Sequence, residues 1–255
     1  MANTLMFDLT KPWPLGIDRH NWPRYAIGVG VVLVIVVWFD VWASQGAISW
    51  PAAWRAPFFF ITDYGLAEWT LVPSLGVFVL AGLVGVALRP GVWKRASFEL
   101  SSLGGFVFAC VGLPGLIVTV LKRLIGRSRP EVYDAAGAFD FQLFLNSWTH
   151  QSFPSGHTQT AASMAFAVGF LWPRAFPWFL AIGIAVGISR VPVGAHYPTD
   201  VVAGFVVGLL GSYWARNIFA KRRWIFSYTV DGHVRPRGFP AMRRLAQRLR
   251  QRPAA

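Results

Sequence analysis

The chain has 255 residues, of which 55% are hydrophobic and only 14% are charged. Soluble domains usually carry about a quarter charged residues, so the composition excludes an ordinary soluble protein and favours one built into a lipid bilayer. The single cysteine, Cys110, excludes an intramolecular disulfide, and a formal net charge of +13 makes the placement of lysine and arginine informative about topology.

Six apolar segments are candidate membrane spans. A spanning helix needs roughly 20 mostly apolar residues, and shorter ones suffice where flanking side chains reach the interface. In chain order the segments are residues 25–43, 71–88, 101–121, 158–172, 176–188 and 201–218. The fourth and fifth are short and are separated only by the turn at 172–175, which predicts a tight helical hairpin. The sequence therefore predicts an all-α, polytopic membrane protein with six transmembrane helices.

The basic residues predict the orientation of these spans. Six spans would place 18 of the 24 lysines and arginines on one side, and 11 of them lie in residues 216–255. The positive-inside rule makes that side cytoplasmic. We therefore expect a cytoplasmic N-terminal segment (1–24), a six-helix membrane domain (25–218) and a basic cytoplasmic tail (219–255). Within the tail, residues 242–250 predict a short amphipathic helix that lies on anionic membrane lipid rather than on nucleic acid.

Five basic residues depart from this rule and fall on the external side: Lys122, Arg123, Arg127, Arg129 and Arg190. Such a cluster indicates either an anionic ligand or arginines that reach the lipid headgroups. For Arg123 and Arg127 a solvated basic rim and a supporting role at a bound phosphate are both open. Asp40, near the outer end of the first span, is expected in a wet interfacial position.

Two external segments carry groups suited to an anion. Lys122 and Arg129 are seven residues apart, which would place them on one helix face if the third span continued past Gly126. The fourth span opens with Pro-Ser-Gly-His at 154–157, where Ser155 is a natural N-cap and Gly156 lets a ligand approach the backbone. The free N–H groups of a helix start attract an anion.

A third external segment, 189–200, supplies Arg190, and it places His196 four residues before Asp200, within reach of that carboxylate. Together with His157, these groups suit phosphoryl transfer. Cations neutralise the phosphate oxygens, a carboxylate orients a nucleophile, and an acid protonates the leaving group. No Cys, His or carboxylate pattern has metal-ligand spacing, so we expect neither a metal nor another cofactor.

Three motifs in this order, K-x6-R-P (122–130), P-S-G-H (154–157) and S-R-x5-H-x3-D (189–200), resemble the signature motifs of the type 2 phosphatidic acid phosphatase family. The resemblance implies a metal-independent phosphatase with its active site at the external membrane face. It implies that His196 is the nucleophile and becomes phosphorylated, that Asp200 orients it, and that His157 protonates the leaving group. The phosphate-binding residues that it implies are Lys122, Arg129, Ser155, Gly156 and Arg190.

The leading hypothesis is therefore an enzyme that hydrolyses a phosphate monoester or pyrophosphate of a membrane lipid. Candidate substrates are isoprenyl pyrophosphates, phosphatidic acid, phosphatidylglycerophosphate and lipid A phosphates. The composition suggests a bacterial inner membrane, with the site on the periplasmic side. A lipid-to-lipid phosphotransferase and a non-catalytic phospholipid transporter are the alternatives, although binding alone does not require a histidine with an oriented carboxylate. The sequence leaves the oligomeric state open.

Overall fold

A computed structural model describes residues 8–144 and 147–251. The start of the predicted N-terminal segment (1–7), residues 145–146 and the end of the predicted tail (252–255) lie outside the described residues. The α-helices are α1 (Trp22–Ile48), α2 (Ala52–Thr62), α3 (Glu68–Ala87), α4 (Val92–Ile125), α5 (Tyr133–Ala136), α6 (Gly156–Leu171), α7 (Phe176–Ser189), α8 (Pro198–Lys221) and α9 (Pro240–Arg250). A two-stranded antiparallel hairpin, β1 (Phe226–Tyr228) and β2 (Val234–Pro236), connects α8 to α9.

The helices confirm a mostly helical integral membrane protein. In the described part of the chain, four helical stretches are long and apolar enough to cross a bilayer: Trp22–Ile48, Ala52–Ala87, Val92–Ile125 and Pro198–Lys221. Each of the six predicted segments overlaps one helix, in the order α1, α3, α4, α6, α7 and α8. Because α6 and α7 have only 16 and 14 residues, the count of six spans stays a prediction.

Helix α4 packs against α3, α6, α8 and α9, and α6 also contacts α7 and α8. Small residues permit these close crossings, as is common between membrane helices. At Gly208 of α8, an added Cβ would lie only 2.6 Å from the backbone oxygen of Gln159 in α6. Any larger residue there would separate α6 from α8, and these are the two helices that carry His157 and Asp200 at their first turns.

A buried arginine joins the N-terminal segment to the far end of α8. Arg216, which the charge count groups with the basic residues of the cytoplasmic side, is fully buried. Its guanidinium donates to the backbone oxygens of Leu9 at 2.6 Å and Lys11 at 2.5 Å, and it lies 4.4 Å from the ring centre of Phe170. Its charge therefore stabilises the fold and does not add to the tail's exposed surface.

The predicted amphipathic helix in the tail is present as α9. Its first backbone N–H groups, from Ala241 and Met242, donate to the two carboxylate oxygens of Glu99 in α4 at 3.0 and 2.9 Å. A carboxylate at a helix N-terminus is favourable because it meets both the free N–H groups and the positive end of the helix dipole. The contact holds α9 against α4 and leaves four arginines exposed: Arg243, Arg244, Arg248 and Arg250.

Candidate active site

The three predicted motifs meet at one end of the helix bundle. The backbone N–H of Ser155, at the start of α6, donates to the backbone oxygen of Asp200 at 2.9 Å. Lys122 lies beside this helix start, because its Cε is 3.9 Å from where a side chain on Gly156 would begin. Its Nζ donates to the backbone oxygen of Gln151 at 2.5 Å. The motifs thus form one site although the sequence separates them by up to 78 positions.

The two cations of the first motif do not share a helix face. α4 ends at Ile125, and Gly126 takes a left-handed conformation with φ of 60°, which glycine adopts at little cost. The chain then turns, and Arg129 reaches the site from a loop. Its backbone N–H donates to the backbone oxygen of Thr149 at 2.8 Å.

Ser155 forms the predicted N-cap of α6. Its buried side-chain oxygen accepts hydrogen bonds from the backbone N–H of Thr158 at 3.4 Å and from the Thr158 hydroxyl at 2.9 Å. His157 follows in the first turn of the helix and packs against Gly65, where an added Cβ would lie 2.9 Å from the histidine Cβ. Glycine at 65 therefore leaves room for the His157 side chain next to the helix start.

His196 and Asp200 form a buried pair. The imidazole is 2% exposed and the carboxylate 0%, and His196 Nδ1 lies 3.7 Å from Asp200 Oδ2. That distance is longer than a hydrogen bond, and among the described residues Nδ1 has no hydrogen-bond partner. Asp200 Oδ2 instead accepts the backbone N–H of Tyr197 at 2.8 Å and the hydroxyl of Ser152 at 2.5 Å. Sequence reasoning did not anticipate Ser152.

The surroundings of His196 favour a neutral imidazole. Burial lowers the pKa of His196, and the positive charges of Lys122, Arg190 and Arg129 lower it further, to well below its ordinary value of 6.5. A histidine must be unprotonated on its attacking nitrogen to act as a nucleophile. The same cations that would bind an anion therefore keep His196 in the reactive form.

Arg129 and Arg190 are buried cations with donors to spare. The Arg129 guanidinium lies 3.6 Å from the ring centre of Trp148, and one end of the Arg190 guanidinium donates to the hydroxyl of Thr62. Among the described residues, the Nε of each has no hydrogen-bond partner. Burial, with the nearby Arg129 charge second, lowers the pKa of Arg190 to about 10, and burial lowers the pKa of Arg129 to about 10. A bound anion would accept hydrogen bonds from these Nε groups and would stabilise the positive charges of both arginines.

The structure overturns the expectation for Asp40 and excludes one of the two interpretations of Arg127. Asp40 is fully buried, not wet, and Arg127 is only 4% exposed and belongs to no solvated rim. Arg127 bridges two carboxylates, with Nη2 2.8 Å from Asp40 Oδ2 and Nη1 2.7 Å from Asp200 Oδ1. Arg123, by contrast, is exposed. The one sequence signal for this burial was the position of Asp40 within an apolar span, because ionisable residues in such spans usually pair inside the protein.

An apolar cavity of about 570 Å³ opens from the site between α3, α4 and α6. Lys122, Gly156 and His157 form its polar end, and the remaining wall includes Leu71, Phe108, Gly112, Leu113 and Leu116. From Phe108 to Lys122 the cavity follows α4 for about 20 Å, at 1.5 Å per residue. Its shape and lining suit a molecule with an anionic group beside Lys122 and a hydrocarbon chain along the apolar wall.

Metal ligands are not grouped in the described part of the chain. No three side chains of the His, Cys, Asp and Glu types lie there in a position to hold a metal ion together. The cations that converge on the site are Lys122, Arg129, Arg190 and the bridged Arg127.

Comparisons with known proteins show what this chain is similar to. Residues 104–224 match the family described as the PAP2 superfamily. The lipid A 1-phosphatase of Rhizobium etli is 33% identical over 206 residues, which cover 81% of this chain and 88% of that protein. The undecaprenyl-diphosphatase of Bacillus subtilis is 35% identical over 153 residues, which cover 59% of this chain and 67% of that protein. The crystal structure of a transmembrane PAP2-type phosphatidylglycerolphosphate phosphatase from Bacillus subtilis superposes with a TM-score of 0.49 at 24% identity, covering 76% of this chain and 96% of that one.

Proposed function

Because the chain belongs to the PAP2 superfamily, we propose that it is a lipid phosphate phosphatase that works without a metal ion through a phosphohistidine at His196. The observation that carries this proposal is a neutral, buried imidazole surrounded by cations whose donors are incompletely used. Binding alone would need the cations but not the adjoining pair of His196 and Asp200, so a transporter is the weaker interpretation.

The geometry supports the following roles for the reacting atoms. Nδ1 of His196 faces Asp200, so Nε2 attacks phosphorus. As the new N–P bond forms, the bond from phosphorus to the leaving oxygen breaks. Burial and the charges of Arg190, Lys122 and Arg129 lower the pKa of His157 to about 3; the negative charge of a bound phosphate raises it again, and His157 then donates the proton that the leaving oxygen needs. Asp200 stabilises the positive charge that develops on the imidazole. In the second step, water attacks the phosphohistidine, His157 takes the proton of that water, and inorganic phosphate leaves.

The phosphate itself is held by Lys122, Arg129 and Arg190 and by the helix start at Ser155 and Gly156. Within the buried network, Asp40 balances the charge of Arg127, and Asp200 remains as one negative charge against the three cations. Glu131 and Asp63 also act on Arg129 and Arg190, but the three cations converge where a phosphate monoester dianion would lie. Charge complementarity of this kind stabilises the transition state more than the ground state when the donors are fixed beforehand.

The cavity between α3, α4 and α6 supports a lipid as the substrate. A phosphate at Lys122 and His157 would place an attached hydrocarbon chain in the apolar part of the cavity, where each buried CH₂ contributes about 0.8 kcal/mol. The relatives named lipid A 1-phosphatase align with most of this chain, so a lipid A phosphate is the first candidate. An isoprenyl pyrophosphate, as in the undecaprenyl-diphosphatase, is the second.

The positive-inside rule supports a bacterial inner-membrane protein with six spans, cytoplasmic residues 1–24 and 219–255, and the site on the periplasmic side. The exposed arginines of α9 would then face anionic lipid of the cytoplasmic leaflet.

The test is phosphate release by the purified protein from lipid A, an isoprenyl pyrophosphate, phosphatidic acid and phosphatidylglycerophosphate, each with and without a metal chelator. We expect release from at least one lipid, unchanged by chelator and absent in His196→Ala. Release from none would contradict the proposal, and activity that returned only on adding magnesium would contradict the metal-free mechanism. Radiolabel that moves to a second lipid instead of to water would identify a phosphotransferase.

A further inference from the structure

Three buried charges from distant parts of the chain form a network behind the candidate nucleophile. Asp40 comes from α1, Arg127 from the loop after α4, and Asp200 from the first turn of α8. The guanidinium lies between the two carboxylates, at 2.8 Å from Asp40 and 2.7 Å from Asp200. Burial by itself would lower the pKa of Arg127, but Asp200 and Asp40 outweigh burial and raise it above its ordinary value. Arg127 is therefore a permanent cation.

Four of the five N–H groups of Arg127 have partners among the described residues. Its Nε donates to the backbone oxygen of Ala138 at 3.1 Å, Nη1 donates to the Thr199 hydroxyl and to Asp200, and Nη2 donates to Asp40. One face of the guanidinium lies 4.2 Å from the ring centre of Tyr197, the residue after His196. This distinguishes Arg127 from Arg129 and Arg190, which retain donors for a ligand.

Asp40 holds the other side of the network. Its Oδ1 accepts the backbone N–H of Thr199 at 2.9 Å, and its Oδ2 accepts the Thr199 hydroxyl at 2.5 Å. Asp40 thus fixes both Arg127 and the residue next to Asp200. It lies outside residues 104–224, which carry the family match. Most of α1 is exposed to the bilayer, where an ionisable side chain is expensive, so a fully buried aspartate on this helix indicates a specific use.

We propose that Arg127, held by Asp40, is a positioning residue for the reaction at His196. Arg127 occupies Asp200 Oδ1, while Ser152 and the Tyr197 N–H hold Oδ2. The carboxylate is thereby fixed with Oδ2 toward His196 Nδ1, 3.7 Å away. Arg127 acts through Asp200 and does not touch the phosphate. The proposal rests on the proposed function, because it needs His196 to be the reacting group.

The experiment is a double-mutant cycle on aryl phosphate hydrolysis, read together with thermal unfolding. Asp40→Asn keeps the shape of the side chain and removes its charge. We expect kcat to fall on the order of 10-fold, as for a coupled neighbour, with KM within about twofold. In an Asp200→Asn background, Asp40→Asn should have almost no further effect on kcat. Asp40 and Arg127 act through the Asp200 carboxylate, which this background lacks. Arg123→Met, on an exposed arginine nearby, is the matched control and should behave as wild type.

Arg127→Met should lower kcat more than Asp40→Asn does, since it frees Asp200 directly. Removing one member of a buried charge network also destabilises a protein. The experiment therefore includes the double variant Asp40→Asn/Arg127→Met, which removes both charges of that pair together. It should fold and show a low kcat. Arg127→Lys should recover part of the rate, because it restores the charge but not both contacts.

Four results would overturn the proposal. The first is an unchanged kcat in folded Asp40→Asn, and the second is an equal loss of kcat on changing Asp40→Asn in the wild-type and Asp200→Asn backgrounds. The third is a rise in KM with no change in kcat. The fourth is loss of folded protein in both Asp40→Asn and the double variant. The last would assign the network to stability only. Failure of the proposed function looks different, because the wild-type protein would then release no phosphate at all.

Discussion

Replacing Gly112 with leucine should separate lipid hydrolysis from the hydrolysis of a small phosphate ester. Gly112 lies in α4 on the wall of the apolar cavity, and an added Cβ would meet Leu71 at 3.6 Å and Phe108 at 3.7 Å. Those are ordinary contacts, so the backbone need not move. The leucine side chain would take the space of about four CH₂ groups of the substrate. At about 0.8 kcal/mol each, this costs about 3 kcal/mol, or about 200-fold in kcat/KM.

The assay compares kcat/KM for a long-chain lipid phosphate and for p-nitrophenyl phosphate in the same detergent. We expect about 200-fold loss on the lipid and less than about twofold on the aryl ester, because only the lipid needs the cavity. Gly76→Leu is the matched control, since Gly76 lies in α3 with no atom within 4 Å of an added Cβ and does not line the cavity. Equal losses on both substrates would mean that the site is distorted, and no loss on the lipid would mean that its chain lies elsewhere.

Three further predictions concern the phosphate-binding cations, the pH dependence and the topology. Arg129→Lys and Arg190→Lys keep the charge but lose the planar pair of donors, so each should lower kcat by about 10²–10³; wild-type rates would show that these arginines do not bind the phosphate. Because burial and the three cations depress the pKa of His196, its reactive neutral form persists in acid. For one protonation state of p-nitrophenyl phosphate, whose leaving group needs little help from His157, kcat/KM should therefore stay level from pH 7 to below 6; an acid limb centred near 6.5 would contradict this. The native Cys110 is buried, so a cysteine at the exposed Ala135 should react with an impermeant thiol reagent from outside the cell, and labelling only in inverted vesicles would reverse the topology.

Local sequence signals were sufficient for the parts of the site that depend on neighbouring residues. Ser155 was predictable as an N-cap because its role needs only the helix that follows it, and the four-residue spacing of His196 and Asp200 predicted their approach. The end of α4 was signalled by Gly126, which takes the left-handed conformation that glycine permits. The apolar spans were visible because a bilayer imposes their length.

The long-range pairs could not be predicted from the pattern of charges. Counting lysines and arginines assigns a charge to a side of the membrane, but it does not say which carboxylate or backbone oxygen will meet it. Arg127 and Asp40 are 87 positions apart, and Arg216 meets backbone oxygens about 205 positions away. Asp40 was expected in a wet position, and Arg127 was left open between a solvated rim and a supporting role, because their partners depend on how the helices pack. All three side chains are buried and paired with these partners, so they belong to the protein interior.

An acid-quenched trap of labelled enzyme tests the central claim most directly. Wild-type protein mixed with ³²P-labelled aryl phosphate and quenched should carry an acid-labile, base-stable label, as a phosphohistidine does. His157→Ala should still form it, since an activated leaving group needs little help from an acid, although the lipid substrate should no longer turn over. His196→Ala should carry no label and should be inactive on both substrates, because it lacks the imidazole that accepts the phosphoryl group. Label that persisted in His196→Ala, or that was lost only in His157→Ala, would contradict the assignment of His196 as the nucleophile.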